Sequence, residues 1–259
     1  MTSQRRSFMA VPFLLLAAAC GGTGEEATTT GPGAALESEL LVSAATSLTD
    51  VFAEMESVFE TAHPGVDVVL NFGSSSSLRA QILEGAPADV FASANSSNMD
   101  QVVEAGEAEN PHILAGNLLE IAVPVGNEAG VSGLADFADD DLLIGLCAEE
   151  VPCGDFGRQA LEKAGVSPAI DSDEPTVRAL LTKIEAGELD AGIVYVTDIA
   201  FAAGTVEGIE IQEEHNMSAW YPIAVLLNAP NPGPADAFVA FVLSDDGQQI
   251  LSQFGFVVP

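Results

Sequence analysis

From residue 39 onward the chain alternates between two kinds of segment, and this alternation restricts the possible folds more than any other feature. β-Branched and apolar runs over 39–44, 66–72, 90–94 and 118–123 read as strands. Stretches with apolar residues at helical spacing lie between them, over 48–62, 78–84 and 99–105. The pattern then restarts, with strands over 142–146, 191–196 and 220–227 and helices over 156–164, 177–185, 234–243 and 247–254. Such alternation predicts an α/β protein with a largely parallel sheet. The 259 residues are 48% hydrophobic, enough for one core or two small ones. Two α/β units, with the chain crossing near 117–123 and again near 219–225, suit this length better than a single sheet.

Ser74, Ser75, Ser76 and Ser77 stand between one such strand and the next helix. A polyserine turn that opens a helix gathers hydroxyl donors and unpaired backbone N–H groups at one point. That point attracts an anion without any formal positive charge. Other strand–helix turns follow the same logic. Ser47 lies in Ser-x-x-Asp with Asp50, close to a capping box, so its hydroxyl is expected to cap the helix, meet a ligand, or do both. Val151-Pro152-Cys153-Gly154 and Glu174-Pro175-Thr176-Val177 each open a helix as well. Singly, each is an ordinary turn. Together they predict several helix N-termini converging at strand ends, where α/β proteins bind ligands.

The charge balance narrows the partners. Seven basic residues face 39 acidic ones, a net charge of −32. Nucleic acid is excluded as a partner for such a surface, and so is a bare anionic membrane face. Asp139-Asp140-Asp141 and Glu213-Glu214 read as exposed, solvated charges suited to high salt, and not as metal sites. The first twenty residues read as an address. Arg5-Arg6 precede an apolar run, Phe8 to Ala19, too short to span a bilayer comfortably. Leu16-Ala17-Ala18-Ala19-Cys20 looks like a lipobox, with cleavage before Cys20 and a diacylglycerol on its sulfur. An ordinary signal peptide is the alternative, and Gln4-Arg5-Arg6-Ser7-Phe8-Met9 also resembles a twin-arginine signal. Residues 21–38 read as a flexible tether. Cys147 and Cys153 remain. In an exported protein they read as a disulfide around a tight loop, with two free thiols as the alternative.

A family resemblance spans nearly all of residues 40–259. Ala44-Ala45-Thr46-Ser47-Leu48-Thr49 resembles the opening motif of the periplasmic molybdate-binding proteins of ABC importers. Asn71-Phe72-Gly73-Ser74-Ser75-Ser76-Ser77-Leu78 resembles their serine segment. Gly85-Ala86-Pro87-Ala88-Asp89-Val90-Phe91-Ala92-Ser93-Ala94, then Gly192-Ile193-Val194-Tyr195 with Asp198, and the tail Gln253-Phe254-Gly255-Phe256 follow in the family's order. The resemblance implies a type II periplasmic-binding fold, with two α/β lobes, a hinge and a ligand cleft. Lobe I is expected to comprise 39–120 and 223–259, and lobe II 121–222. It further implies molybdate or tungstate as ligand, with no cofactor and no direct protein bond to the metal atom. Ser47 and Ser75 would donate hydroxyl and backbone N–H from one lobe. Val177 would donate a backbone N–H and Tyr195 a phenolic hydroxyl from the other. Cys153 stands where the family has a small residue donating its N–H. Tyr195 has a purely structural alternative, a buried strand aromatic bonded to a carbonyl.

The donor chemistry agrees with that implication. A fully deprotonated oxyanion offers only acceptors, so its site should hold donors and no carboxylate, whereas a phosphate site could use an acid to accept the remaining proton. Neutral donors also avoid the cost of burying a fixed charge. Hydrogen bonds to a charged group contribute about 1.5–3 kcal/mol each. The expected partners are an ABC permease with its ATPase, the membrane through the lipid on Cys20, and no second protomer; the expected location is extracytoplasmic. Sulfate or another tetrahedral oxyanion is the first competing ligand. Ferric iron fits less well, because Tyr195 and Tyr221 are the only tyrosines. A serine hydrolase is the competing enzyme reading. However, Gly73-Ser74-Ser75-Ser76-Ser77 lacks the second glycine of a nucleophile elbow, and His63, His112 and His215 stand in no triad context.

Overall fold

The computed structural model describes residues 38–259. The expected leader over 1–20, with Cys20, and the tether up to residue 37 lie outside the described residues.

Strand β1 (Ser38–Ala45) passes through a 3₁₀ turn (Thr46–Leu48) into helix α1 (Thr49–Ala62). Then come β2 (Val66–Gly73), α2 (Ser75–Leu83), β3 (Val90–Ala92) and α3 (Ser96–Glu104). A long strand, β4 (His112–Pro124), carries the chain into the second half of the fold. There β5 (Ile144–Cys147), α4 (Pro152–Lys163), β6 (Ser172–Glu174), α5 (Val177–Glu185), β7 (Ala191–Tyr195), α6 (Val196–Phe201) and β8 (Val206–Glu210) follow. Strand β9 (Ser218–Val225) returns the chain, and α7 (Pro232–Val242) and α8 (Asp245–Gln253) close the first half.

The strands follow the order β2-β1-β3-β9-β4-β7-β5-β6, with β8 paired to β4. This corrects the expectation of a largely parallel sheet. β1 pairs in parallel with β2 and β3, and β5 with β6 and β7. By contrast, β4 is antiparallel to β7, β8 and β9, and β9 is antiparallel to β3. The two crossing strands lie side by side and run in opposite directions, so the α/β logic holds within each half and fails where the halves join. The hand-over falls within β4. Its residues up to Leu118 pair with β9, and Leu119 to Ala122 pair with β7. The two α/β lobes therefore share one continuous strand path.

The segment around Asp89 serves this scaffold. Asp89 is fully buried and accepts from the Leu41 N–H at 2.8 Å and from the Asn231 N–H, tying β1 to the start of α7. In the second half Gly145 and Gly192 sit opposite each other on β5 and β7. A Cβ on Gly145 would come within 2.4 Å of Leu189 and 2.7 Å of Leu180, so glycine lets α5 lie close on the sheet. No helix among the described residues is long and apolar enough to cross a membrane.

Candidate functional site

Helix α2 begins at Ser75, three residues earlier than apolar spacing predicts. Ser74 is its N-cap, and its hydroxyl accepts from the Ser77 N–H at 3.3 Å. Capping by Ser74 frees Ser75 from that task. Ser75 is buried, and its hydroxyl accepts from the Ala94 N–H at 2.9 Å. A hydroxyl whose lone pair is engaged by an amide still has its own proton to give. Ser47 has the same arrangement. It sits in the 3₁₀ turn after β1, and α1 is capped by Leu48 without any side-chain bond, so the Ser-x-x-Asp spacing closes no capping box. Instead the Ser47 hydroxyl accepts from the Tyr221 hydroxyl at 3.0 Å.

The second half presents backbone. Pro152 and Cys153 are the first two residues of α4, and Val177 is the first of α5. Pro152 has no N–H, and the N–H groups of Cys153 and Val177 have no carbonyl one turn earlier to accept them. Thr176 caps α5 by accepting from the Ala179 N–H at 3.1 Å, leaving the Val177 N–H at the helix mouth. A disulfide joins Cys147 at the end of β5 to Cys153, with Cα atoms 5.7 Å apart. Beneath it a Cβ on Gly154 would come within 2.0 Å of the Ala148 carbonyl oxygen, so the tight loop requires glycine there. Tyr195 ends β7 fully buried, and its hydroxyl has no hydrogen-bond partner among the described residues. The Tyr221 ring is a neighbour at 6.0 Å between centroids, but the two phenols do not form a hydrogen bond of acceptable geometry. Burial, then the nearby Tyr221 and Asp198, push the Tyr195 phenol well above its ordinary range, so it stays protonated and able to donate.

Ser47, Ser75, Cys153, Val177 and Tyr195 all line one small cavity of about 10 Å³ between the two halves. Ala45, Thr46, Gly73, Ser74 and Ala94 complete it from the first half, and Val151 and Pro152 from the second. No charged residue lines it. The positive ends of α2, α4 and α5 point to this space, with the 3₁₀ turn before α1, so the field favours an anion without a buried cation. His63, His112 and His215 do not line it; His63 is stacked on Phe59 at 4.1 Å, and His215 lies 3.8 Å from Glu214. Asp139, Asp140, Asp141, Glu213 and Glu214 are exposed, and no metal-binding group of three acids, His or Cys occurs among the described residues.

Two side chains that sequence reasoning did not assign stand directly behind this lining. Tyr221 supports Ser47. Arg178 follows Val177 but turns away from the cavity, toward Asp50 and Asp198. Arg178 was findable as one of the seven basic residues, placed next to a candidate donor. Tyr221 carried no local signal beyond being one of two tyrosines. Asp198 accepts from the Tyr195 N–H at 3.1 Å, holding the turn that aims the phenol.

A family model described as bacterial extracellular solute-binding protein matches residues 40–257. The chain is 36% identical to a molybdate-binding protein of Mycobacterium tuberculosis over 242 residues, covering 93% of this chain and 92% of that protein. It is 32% identical to the molybdate-binding protein of Escherichia coli over 246 residues, covering 88% and 92%. The solved periplasmic molybdate-binding protein of Azotobacter vinelandii superposes with a TM-score of 0.73 at 22% identity, covering 85% of this chain and 99% of that one, a likeness of fold. With its two-lobed α/β fold and an interlobe cavity of neutral donors, the chain belongs to the family of bacterial extracellular solute-binding proteins.

Proposed function

We propose that this protein captures molybdate, and tungstate in the same way, outside the cytoplasm and delivers it to an ABC permease driven by its ATPase. The observation that carries this reading is the cavity itself. Five donors proposed from the sequence, Ser47, Ser75, Cys153, Val177 and Tyr195, meet there with no charged residue among the lining. A tetrahedral dianion with only acceptor oxygens matches such a set, and hydrogen bonds to it are the strong, charge-assisted kind. The molybdate-binding names of the two relatives support the choice of ion.

In this reading the hydroxyl and N–H groups of Ser47 and Ser75 bind from one lobe, formed by 39–120 and 223–259. The N–H groups of Cys153 and Val177 and the phenol of Tyr195 bind from the other, formed by 121–222. Lobe closure around the ion presents the loaded shape to the permease. The protein acts as a monomer, held at the membrane by a lipid on Cys20. Chemistry on the ligand is no part of this function.

Calorimetric titration of protein lacking its leader tests the reading. Molybdate and tungstate should bind tightly and sulfate weakly, at low and high salt. Neither heat nor thermal shift with both metal oxyanions would reject it, and preferential sulfate binding would replace the ligand.

A further inference from the structure

The two serines that face the cavity owe their donor character to different partners. For Ser75 the partner is an amide, Ala94 N–H, which can only donate. For Ser47 the partner is another hydroxyl, Tyr221, at 3.0 Å. Either oxygen of such a pair has lone pairs to offer, but the phenol is the stronger acid and the better donor. Tyr221 is fully buried on β9. Its ring is held edge-on by Phe256 at 5.6 Å and by Tyr195 at 6.0 Å. It does not line the cavity. With Tyr221 donating to it from behind, the Ser47 hydroxyl still has its own proton to give.

We propose that Tyr221 is a positioning residue that sets specificity: by donating to Ser47 it fixes this hydroxyl as a donor, so that the site rejects an oxyanion that carries a proton. Hydrogen phosphate has the tetrahedral shape of the proposed ligand but brings one O–H that needs an acceptor. The Ser75 hydroxyl already accepts from the Ala94 N–H, backbone N–H groups cannot accept, and the Tyr195 phenol, the third of these hydroxyls, is used as a donor to the ion in the reading given above. Ser47 is the hydroxyl whose sense depends on a replaceable side chain. Leaving a buried O–H unpaired, or setting two donors against each other, costs much more than one good bond contributes. Without the Tyr221 hydroxyl, Ser47 is free to rotate and accept the phosphate proton. The inference rests on the oxyanion-binding reading given above.

The test measures affinities for molybdate and for inorganic phosphate at pH 8 in wild type, Tyr221→Phe, Ser47→Ala and the double variant. Tyr221→Phe should weaken molybdate about tenfold, the worth of one hydrogen bond, while phosphate binding stays level or improves. The molybdate-to-phosphate ratio therefore falls at least about tenfold. In the Ser47→Ala background the same change should have no further effect on the ratio. A merely structural tyrosine would weaken both anions alike and act equally in both backgrounds; either result overturns the proposal. If wild type binds neither molybdate, tungstate nor sulfate, the oxyanion reading itself fails and takes this inference with it. If Tyr221→Phe does not fold, NMR of wild type carrying labelled tyrosine decides. A slowly exchanging Tyr221 hydroxyl proton close to the Ser47 β-protons is expected in the molybdate complex, and a rapidly exchanging one overturns the proposal.

Discussion

Arg178, in the first turn of α5, forms an ion pair with Asp50, in the first turn of α1. Among the described residues this ion pair alone joins the two halves of the sheet across the cavity. The guanidinium also lies 4.0 Å from the centroid of Phe201 and its Nε lies 3.4 Å from Asp198, without hydrogen-bond geometry to that carboxylate. Both side chains are about one quarter exposed, 21% and 26%, so the pair is partly shielded from solvent.

A clasp between lobes acts on release of the ion more than on its capture. Asp50→Ala should speed molybdate dissociation several-fold and weaken binding by about 1 kcal/mol, the upper range for a solvent-accessible pair. The loss should shrink at high salt as the charges are screened. Stopped-flow displacement followed by protein fluorescence measures it. An unchanged dissociation rate would mean that the pair does not hold the lobes together.

Neighbouring serines should separate into two roles. In the proposed site Ser75→Ala removes a donor to the ion, and it leaves the Ala94 N–H without its acceptor. Molybdate affinity should fall by about 1.5–3 kcal/mol, roughly ten- to hundredfold. Ser74→Ala removes the N-cap of α2 and should cost about 1 kcal/mol of stability with affinity kept within a few-fold. Calorimetry and denaturant titration on both variants read the contrast. Equal affinity losses would show that Ser75 has no special place.

The disulfide should support the fold more than the chemistry. Its two cysteines are six residues apart, and closing so short a loop contributes about 2 kcal/mol. Replacing Cys147 and Cys153 together by serine should therefore lower stability by that amount. The Cys153 N–H survives the change, so molybdate affinity should drop only a few-fold. Mass spectrometry without reductant should show the two residues joined, and complete loss of binding in the variant would show that the bridge sets the loop's shape.

Asp198 makes a pH dependence. Burial raises its pKa from 3.8 to about 7, although Arg178 and the Tyr195 N–H oppose the rise. The unfolded chain gives up this proton near its ordinary value, while the folded protein keeps it up to about pH 7. Between those limits the folded state binds more protons, so this group's contribution to stability falls as pH rises and levels off above the window. Asp198→Asn removes that slope. Relative to wild type, the variant should gain stability between pH 5 and pH 8 in paired denaturation curves. Parallel pH profiles would contradict the assignment.

Much of this could be read along the chain. Alternating strands and helices named the α/β class, and the turns at Ser47, Ser75, Cys153 and Val177 were legible as helix openings, while the donor roles expected of these residues and of Tyr195 came from the family resemblance. Local pattern carries that information, since strand period, helix period and turn residues are set by neighbouring side chains. The short elements escaped. β6 has three residues, β8 has five with mostly exposed side chains, and α6 has six, too few for periodicity to register. The antiparallel crossing of β4 and β9 escaped too, because strand direction belongs to the pairing and not to either segment.

The sequence by itself determined which groups were available to meet an anion: hydroxyls and helix-opening amides, with no base among them. Only the tertiary structure decided which way those groups face and what stands behind them. The Ser47 hydroxyl at the cavity accepts from Tyr221, 174 residues away, and Arg178 avoids the cavity because Asp50, 128 residues away, draws it aside. A hydroxyl has both a proton and lone pairs, and a guanidinium turns to the nearest carboxylate, so their roles depend on contacts that form only when distant segments pack.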